Sequence, residues 1–215
     1  MPEFNFDTIS HFDKHISGSI NGYILLDNLI MNICSFYAKD GETIVDLGCT
    51  SGRLISKLAK EYPHTHCIGY DITQNNFYPS THAELIVQDI TKKNFIIPQA
   101  NIILSVFTLQ FLQYKDRMNV LEKVYNSLNY NGVFILCEKE LCGEGIFQEV
   151  FTFANYDYKK FNFTAQEILE KEKDLRKIMN CLTHSENEFL LKKMKFTRIE
   201  QFFQSLNFKG WLCMK

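Results

Sequence analysis

The feature that most constrains the fold of this chain is a β-strand followed by a glycine turn and a helix. Residues 43–47 are β-branched or aliphatic apart from Asp46, which predicts a buried strand. Gly48 and Gly52 bracket the turn, and apolar residues then recur at helical spacing over positions 54–59. Glycines let the backbone approach a ligand closely, and a helix N-terminus offers unpaired N–H groups. The stretch therefore predicts a nucleotide pocket in an α/β fold, with the Asp46 carboxylate beside it.

The spacing of the glycines indicates which class of nucleotide the turn could bind. A dinucleotide fingerprint requires G-x-G-x-x-G, whereas this chain has G-x-x-x-G with Thr50 in the middle. Asp71 ends the next apolar run, at the position where a carboxylate would meet a ribose diol. This pattern resembles the class I S-adenosylmethionine-dependent methyltransferases, which implies S-adenosylmethionine as the cofactor. An ordinary α/β strand-to-helix turn is the alternative.

Composition and charge narrow the class of protein. The 215 residues, 46% hydrophobic and 22% charged, predict a single globular domain over 1–215. A net charge of −2 gives the chain as a whole no electrostatic reason to bind nucleic acid. The seven cysteines are scattered and mostly lie in apolar runs, so we expect reduced residues of a cytoplasmic protein and no metal site. No run approaches the roughly 18 apolar residues of a membrane span, and the start lacks a signal-peptide basic region.

Two helices are expected within residues 1–40, before the first strand. The second, over residues 23–38, is predicted to turn inward an apolar face of Ile24, Leu25, Leu29, Ile30, Ile33 and Phe36. We interpret this segment as a cover over the cofactor edge, with additional core as the alternative.

Strand and helix patterns then alternate, which predicts βαβ units and a parallel sheet. Residues 143–195 are predicted to be a helical insertion or lid, in which 164–167 and 185–188 match capping boxes. The alternating charges of residues 167–177 are typical of a solvated face. Two strands near the C-terminus are separated by a few residues and predict a hairpin, so one of them runs antiparallel.

Further segments resemble one family within this superfamily, the carboxy-S-adenosylmethionine synthases. The similar segments are residues 12–23, 45–52, 107–112, 137–139 and 202–208. Those bacterial enzymes make the carboxymethyl donor used to modify wobble uridine in tRNA, from S-adenosylmethionine and prephenate. The resemblance implies a Rossmann-like three-layer methyltransferase fold with a mostly parallel seven-stranded sheet and an antiparallel C-terminal hairpin. It also implies a homodimer.

The resemblance assigns the residues that would bind the cofactor. Asp71 would accept hydrogen bonds from the ribose hydroxyls. Asp89 and the Ile90 backbone would lie at the adenine edge, and Ile72 would pack on the ring. The whole predicted set is Tyr23, Asp46, Gly48, Cys49, Thr50, Gly52, Asp71, Ile72, Asp89, Ile90, Val106 and Phe107. A helix or turn cap is the alternative for Asp89, and a core aromatic is the alternative for Tyr23.

Two positions depart from the synthases. That family holds the additional carboxylate of its product with an asparagine and an arginine, where this chain has Val106 and, by order along the chain, Leu190. A partly buried carboxylate without a cationic partner is strongly disfavoured, unless Lys192, Lys193 or Arg198 replaces the arginine. We therefore predict a methyltransferase acting on a small molecule. The synthase, a tRNA methyltransferase and a non-catalytic binding protein are the alternatives.

The sequence is less informative about a catalytic base. A sulfonium cofactor carries its own leaving group, so the protein mainly has to align donor and acceptor and exclude water. The candidate bases are His11, His15, Tyr23 and Glu138, with Gln110 and Lys139 as weaker candidates. Glu138 ends the fifth strand at the carboxyl edge, where ligands of open α/β sheets lie. For each histidine, a solvent-exposed or structural residue is the alternative, and for Glu138 it is a hydrogen-bonded structural carboxylate.

Overall fold

The structure is a computed structural model of the chain, and it describes residues 12–74, 77 and 82–215. The strands are β1 (Thr43–Leu47), β2 (His66–Asp71), β3 (Glu84–Val87), β4 (Ala100–Val106), β5 (Leu128–Lys139), β6 (Arg198–Ser205) and β7 (Phe208–Met214). The helices are α1 (Phe12–Ser19), α2 (Tyr23–Cys34), α3 (Arg53–Glu61), α4 (Tyr114–Ser127), α5 (Gly145–Lys159), α6 (Ala165–Ile178) and α7 (His184–Lys193). A short 3-10 turn, Leu109–Phe111, follows β4. No helix in the described ranges is both long enough and apolar enough to cross a bilayer.

The strands form one sheet in the order β3-β2-β1-β4-β5-β7-β6. Strand β7 lies antiparallel to both β5 and β6, and the other strands run parallel to one another. The predicted mostly parallel sheet with an antiparallel C-terminal hairpin is confirmed. The strand order reverses between β1 and β4, and ligands of open α/β sheets bind in the crevice at such a switch point.

Helices cover both faces of the sheet, which confirms the three-layer fold. Successive residues of a strand point to opposite faces. Phe134 and Leu136 of β5 accordingly join a core cluster with residues of α4 and α7, whereas Val133 and Ile135 join a second cluster with residues of α2 and α3. Both clusters consist of side chains that are nearly inaccessible to solvent, and they fix the carboxyl ends of the strands.

The predicted inner face of α2 is wrong in part. The helix ends at Cys34, and Ile24, Leu25 and Phe36 are 62%, 57% and 81% exposed. Asp27 is buried instead, because it forms ion pairs with Arg53 and a lysine of α3. A buried charge is stabilised when it is paired. Because the partners of Asp27 lie on α3, helix α2 turns Asp27 inward and exposes part of the face that apolar spacing predicts to be buried.

One of the two predicted capping boxes is confirmed. At 164–167 the Thr164 hydroxyl accepts from the Glu167 N–H while the Glu167 carboxylate accepts from the Thr164 N–H. The box predicted at 185–188 is wrong, because α7 begins earlier, with Thr183 as its N-cap and Glu186 as the reciprocal partner. Residues 183–186 and residues 185–188 both satisfy the spacing of the motif. The upstream stretch, with Thr183 and Glu186, supplies the cap.

Candidate active site

A cavity of about 480 Å³ lies at the carboxyl edge of the sheet. Its volume falls within the roughly 300–1,000 Å³ typical of small-molecule sites. The lining comes from the ends of β1, β2 and β4, the turn after β1, helix α1 and the inner sides of α5 and α6. Of the predicted cofactor residues, the cavity is lined by Tyr23, Asp46, Gly48, Cys49, Thr50, Asp71, Ile72, Asp89, Ile90, Val106 and Phe107. Gly52 is the predicted residue that does not line it.

The two glycines of the turn are required by close packing. Gly48 has φ of +78°, and a Cβ there would lie 2.2 Å from the Thr108 Oγ1. Gly52 has φ of +73°, and its Cβ would lie 2.5 Å from Leu85. Any other residue would clash and would also carry a left-handed backbone. Gly52 therefore sets the path of the chain into α3 from a position outside the cavity lining.

Two carboxylates face the cavity beside this turn. Asp71, at the end of β2, accepts from the Thr50 N–H at 2.9 Å and from the Thr73 N–H at 3.2 Å. Asp46 is buried, and its Oδ1 has no hydrogen-bond partner among the described residues. Burial, together with the nearby negative charge of Asp71, raises the pKa of Asp46 to about 7. An unpartnered acid in this position favours a ligand that carries positive charge.

Asp89 is held differently from these two acids. Its Oδ1 accepts from the Thr91 N–H at 2.9 Å and from the Thr91 hydroxyl at 2.6 Å, and Lys92 lies 3.1 Å from its other oxygen. Although burial acts to raise it, these contacts hold the pKa of Asp89 below its usual range. The turn-cap geometry is therefore present, and it leaves the following Ile90 buried against the cavity.

Arg53, the first residue of α3, joins the turn to both N-terminal helices. Its guanidinium contacts Asp13 of α1 at 3.1 Å and Asp27 of α2 at 2.7 and 2.8 Å. It also donates to the Tyr23 hydroxyl at 3.2 Å, and Ser51 donates to Asp13. This network places α1 over the cavity. Sequence reasoning missed it, because the partners are 26 to 40 residues apart and no local spacing connects them.

Three lysines from different elements also line the cavity. They are Lys139 at the end of β5, Lys159 at the end of α5 and Lys171 in α6. The sequence did not predict that these three lysines meet at one cavity. Leu190, read as the position of the family's arginine, is 1% exposed and lies in the core cluster with α4. The alternative cations Lys192, Lys193 and Arg198 are exposed and do not line the cavity.

Comparison with known proteins places this geometry in a superfamily. A family model described as a methyltransferase domain matches residues 44–132. The carboxy-S-adenosyl-L-methionine synthase of Staphylococcus epidermidis is 29% identical over 217 residues, covering 97% of this chain and 94% of that protein. Human N-acetylserotonin methyltransferase, solved in complex with S-adenosylmethionine, matches with a TM-score of 0.56 at 17% identity over 81% of this chain and 47% of its own. The CurJ carbon methyltransferase matches with a TM-score of 0.59 at 15% identity, over 88% and 53%.

Residues 44–132 of the chain match a methyltransferase domain. The family match spans the glycine turn, and the full-length similarity to a synthase supports the same superfamily, which confirms the resemblance drawn from the sequence. The chain spans about half the length of the two solved structures, and at 15–17% identity such likenesses establish the fold alone. As a transferase of this superfamily, the protein uses S-adenosylmethionine.

The residues of the methyltransferase cavity fit this cofactor. S-adenosylmethionine carries positive charge on its sulfonium and ammonium groups, and the unpartnered Asp46 carboxylate is suited to a cation. Asp71 is already oriented by two backbone N–H groups and would take the ribose hydroxyls. In the described part of the chain, no group of three or more His, Cys, Asp or Glu is arranged to hold a metal.

The candidate bases of the methyltransferase lie in different environments. His15 lines the cavity and contacts Lys171, and burial, with the positive charge of Lys171, lowers its pKa to about 4. Tyr23 also lines the cavity, and burial raises its pKa to about 12 even though Arg53 acts to lower it. His11 lies outside the described residues.

Glu138 does not line the cavity. It is 1% exposed, its Oε1 accepts from the Gln110 N–H at 3.2 Å, and its Oε2 lies 3.5 Å from Arg117. Burial raises the pKa of Glu138 to about 7. Gln110 and Lys139, the weaker candidates, both line the cavity, and the Gln110 side chain accepts from the Lys139 N–H. Glu138 is therefore buried behind the residues that line the cavity, where it contacts Gln110 and Arg117.

Proposed function

We propose that this enzyme transfers the methyl group of S-adenosylmethionine to a small-molecule acceptor. The observation that carries the proposal is the cover that α1 forms over the cavity. The Tyr158 hydroxyl of α5 donates to the Ser17 carbonyl at 2.7 Å, and His15 contacts both Lys171 and the ring of Phe163. A roof tied to both flanking helices supports an acceptor small enough to enter beneath it.

Each part of the cavity would have its own task. Asp46, Asp71 and the 89–90 turn would hold the cofactor, which supplies an electrophilic methyl group when bound. The remaining lining, which includes Val106, Phe107 and the lysine side, would align the acceptor and exclude water. The proposal needs no metal.

His15 is better suited to orient the acceptor by a hydrogen bond than to remove a proton from it. With a pKa of about 4, its ring is neutral near pH 7 and is a weak base there. Tyr23, with a pKa of about 12, keeps its proton over the same range. His15 also lies on the cover, so it faces an acceptor bound beneath α1.

Removal of the Asp71 carboxylate tests cofactor binding. We expect Asp71→Asn to weaken S-adenosylmethionine binding about ten- to a hundredfold, because hydrogen bonds to a charged group contribute about 1.5–3 kcal/mol. Asp157→Asn, an exposed substitution on α5, is the matched control and should bind as the parent does. Isothermal titration calorimetry measures both, and equal affinities in the two variants would contradict the assignment.

The acceptor class needs a separate experiment. Incubation with methyl-labelled S-adenosylmethionine and a cell extract separated by size should place label in the low-molecular-weight fraction. Label confined to RNA or protein would overturn the small-molecule assignment. Tight cofactor binding without transfer to any fraction would favour a non-catalytic binding protein.

The second candidate is a carboxy-S-adenosylmethionine synthase. Two observations favour it: the name of the full-length relative and the lysines in the cavity, which offer the cationic partner that Leu190 does not. Mass spectrometry of the nucleoside that copurifies with the protein separates the candidates. A cofactor heavier by one carboxylate would support the synthase and, through it, a role in tRNA modification.

We also propose that the protein is cytoplasmic and forms a homodimer. Seven free cysteines suit the reducing cytoplasm. Apolar side chains are exposed along α5, and a homodimer interface would bury them. These side chains are Ile146, Phe147, Val150 and Phe153. Sedimentation equilibrium at several protein concentrations measures the assembly state.

A further inference from the structure

Gln110 lies in the 3-10 turn after β4 and lines the cavity. It is 5% exposed, and its side-chain Oε1 accepts a hydrogen bond from the Lys139 N–H at 2.7 Å. Because a backbone N–H can only donate, the carboxamide must turn its oxygen toward β5 and its Nε2 group away from that bond. The contact with Lys139 thus fixes which end of the amide group can donate to a ligand.

The backbone of Gln110 is held on both sides of the residue. Its N–H donates to the Glu138 Oε1 at 3.2 Å, and its carbonyl accepts from the Asn180 N–H at 2.6 Å. Glu138 belongs to β5, and Asn180 follows α6. The place of Gln110 in the cavity wall is therefore set by two elements besides its own turn.

A buried arginine of α4 connects the same three segments. Arg117 is 2% exposed, and its Nε and Nη2 donate to the Leu109 carbonyl at 3.1 and 2.9 Å. Its Nη2 also donates to the Asn180 carbonyl at 2.7 Å and lies 3.5 Å from the Glu138 carboxylate. A guanidinium presents its donors in a rigid planar fork, so it fixes the spacing of the groups that it binds.

This buried charge pair contributes more to geometry than to stability. The cost of removing both charges from water offsets most of their attraction, so a buried pair is weak evidence for stability. The segments that Arg117 contacts each carry a residue of the cavity lining, and these residues are Phe111, Lys139 and Met179. One side chain behind the wall thus sets the relative positions of three parts of the lining.

We infer that Gln110 contacts the methyl acceptor through its side-chain Nε2, and that Arg117 and Glu138 are positioning residues that hold Gln110 for this contact. The inference rests on the proposed function and specifies its acceptor class. An amide Nε2 carries two hydrogens to donate, so its partner must be an oxygen or nitrogen atom with a lone pair. The acceptor therefore presents such an atom, for example a carbonyl oxygen, in addition to its nucleophilic atom. Gln110 orients the acceptor by this hydrogen bond and takes no part in bond making.

Gln110→Glu tests the contact with the acceptor. The variant keeps an oxygen for the Lys139 N–H and replaces the Nε2 donor with a second oxygen, which cannot donate when ionised. The assay measures transfer of labelled methyl from S-adenosylmethionine to the low-molecular-weight fraction of a cell extract. We expect this transfer to fall about ten- to a hundredfold, the range for a buried polar group left without its partner. Calorimetry should give the same affinity for S-adenosylmethionine as in the parent.

The matched control is Gln113→Glu, which changes an exposed glutamine at the N-cap of α4. It should transfer methyl and bind cofactor as the parent does. Equal transfer by Gln110→Glu and the parent would overturn the inference and leave the proposed function intact. Weaker cofactor binding by Gln110→Glu would also overturn it, because Gln110 would then serve the cofactor. Absence of transfer by the parent would overturn the proposed function, and the inference with it.

Two variants of Glu138 separate its positioning role from its charge. Glu138→Leu and Glu138→Gln both remove the charge that faces Arg117, but Glu138→Gln keeps an oxygen for the Gln110 N–H. We expect Glu138→Leu to lower the transfer rate at saturating extract about ten- to a hundredfold, because small misplacements of an aligning group cost that much. Glu138→Gln should restore most of the rate. Rates are expressed per bound S-adenosylmethionine, which corrects for unfolded protein, and equal rates in the two variants would overturn the role of Glu138.

Arg117→Met tests the arginine in the same assay. It removes the donors to the Leu109 and Asn180 carbonyls, so the rate per bound cofactor should fall about ten- to a hundredfold at saturating extract. The extract concentration that gives half the maximal rate should change less than the rate does. Lys115→Met, an exposed substitution on the same helix, is the control and should leave both quantities unchanged. An unchanged rate in Arg117→Met would overturn the role of Arg117.

Nuclear magnetic resonance of the parent supplies a readout that no variant has to fold for. In protein saturated with S-adenosylhomocysteine, the side-chain amide signals of Gln110 should shift when the low-molecular-weight fraction is added. The side-chain amide signals of the exposed Gln113 should not shift. If a fraction that accepts methyl leaves the Gln110 signals in place, the proposed contact does not form.

Discussion

At the scale of single residues, the cavity is lined by both acidic and basic side chains. Asp46 and Asp71 lie at the glycine turn with Arg53, whereas the three lysines come from β5, α5 and α6. Groups of both signs in one cavity favour two ligands of opposite charge, or one ligand that carries both charges. Burial of the Asp46 carboxylate also destabilises the folded chain at neutral pH, since desolvation raises its pKa to about 7.

This property of Asp46 predicts how stability depends on pH. Between about pH 4 and 7 the folded chain keeps the Asp46 proton while the unfolded chain releases it, so the contribution of Asp46 to the free energy of unfolding falls as pH rises. The decrease is at most about 4 kcal/mol, at 1.36 kcal/mol per pKa unit. Asp46→Asn should remove it. Urea unfolding at pH 4.5 and pH 7.5 measures the slope, and identical slopes in parent and variant would contradict the burial argument.

The sequence predicted many of the residues that line the cavity near the glycine turn, but it did not predict that the three lysines meet there. Asp46 and Gly48 belong to one short motif and Asp71 ends the next strand, so a single strand-helix-strand unit brings them together. Lys139, Lys159 and Lys171 come from three elements, and only the packed fold makes them neighbours. Glu138 was predicted at the carboxyl edge, but a strand end does not reveal on which side of the wall the carboxylate lies.

At the scale of elements, local patterns predicted the type of each helix but not always the direction it faces. The alternating charges of residues 167–177 indicate a solvated face, which is wrong for Lys171 and Glu172. Their partners, Lys139 and Lys159, belong to β5 and α5. Since burial of a charge depends on partners supplied by other elements, no local pattern can predict it.

The start of α7 can be tested directly. Thr183→Ala should lower the free energy of unfolding by about 1 kcal/mol, because it removes the hydroxyl that accepts from the Glu186 N–H. Ser185→Ala changes the residue at which apolar and capping patterns alone place the start. It should be close to neutral, since Ser185 lies inside the helix. Urea denaturation of both variants decides between the two start sites, and a larger effect at Ser185 would contradict the observed cap.

At the scale of the whole molecule, the sheet provides the rigid edge and the N-terminal helices provide the cover. The cover depends on polar ties and on apolar contacts, since α2 adds Leu26 and Ile30 to the core while α1 lines the cavity. Residues of α1 line the cavity and residues of α2 lie in the core, and the interpretation of the N-terminal helices as a cover stays a prediction. The Arg53 network joins the two roles, because it connects α1, α2 and the helix that follows the glycine turn.

Removing this connection should affect both stability and the cover. Arg53→Met leaves the buried Asp27 with Lys57 as its remaining ion-pair partner, and we expect a loss of about 3 kcal/mol, the lower end for breaking a buried pair. Arg176→Met removes an exposed ion pair of Glu172 and should cost less than about 1 kcal/mol. Amide hydrogen exchange should show reduced protection in α1 for Arg53→Met alone, because Asp13 then loses its partner on α3. Unchanged protection of α1 would mean that its contacts with α5 and α6 suffice to hold it over the cavity.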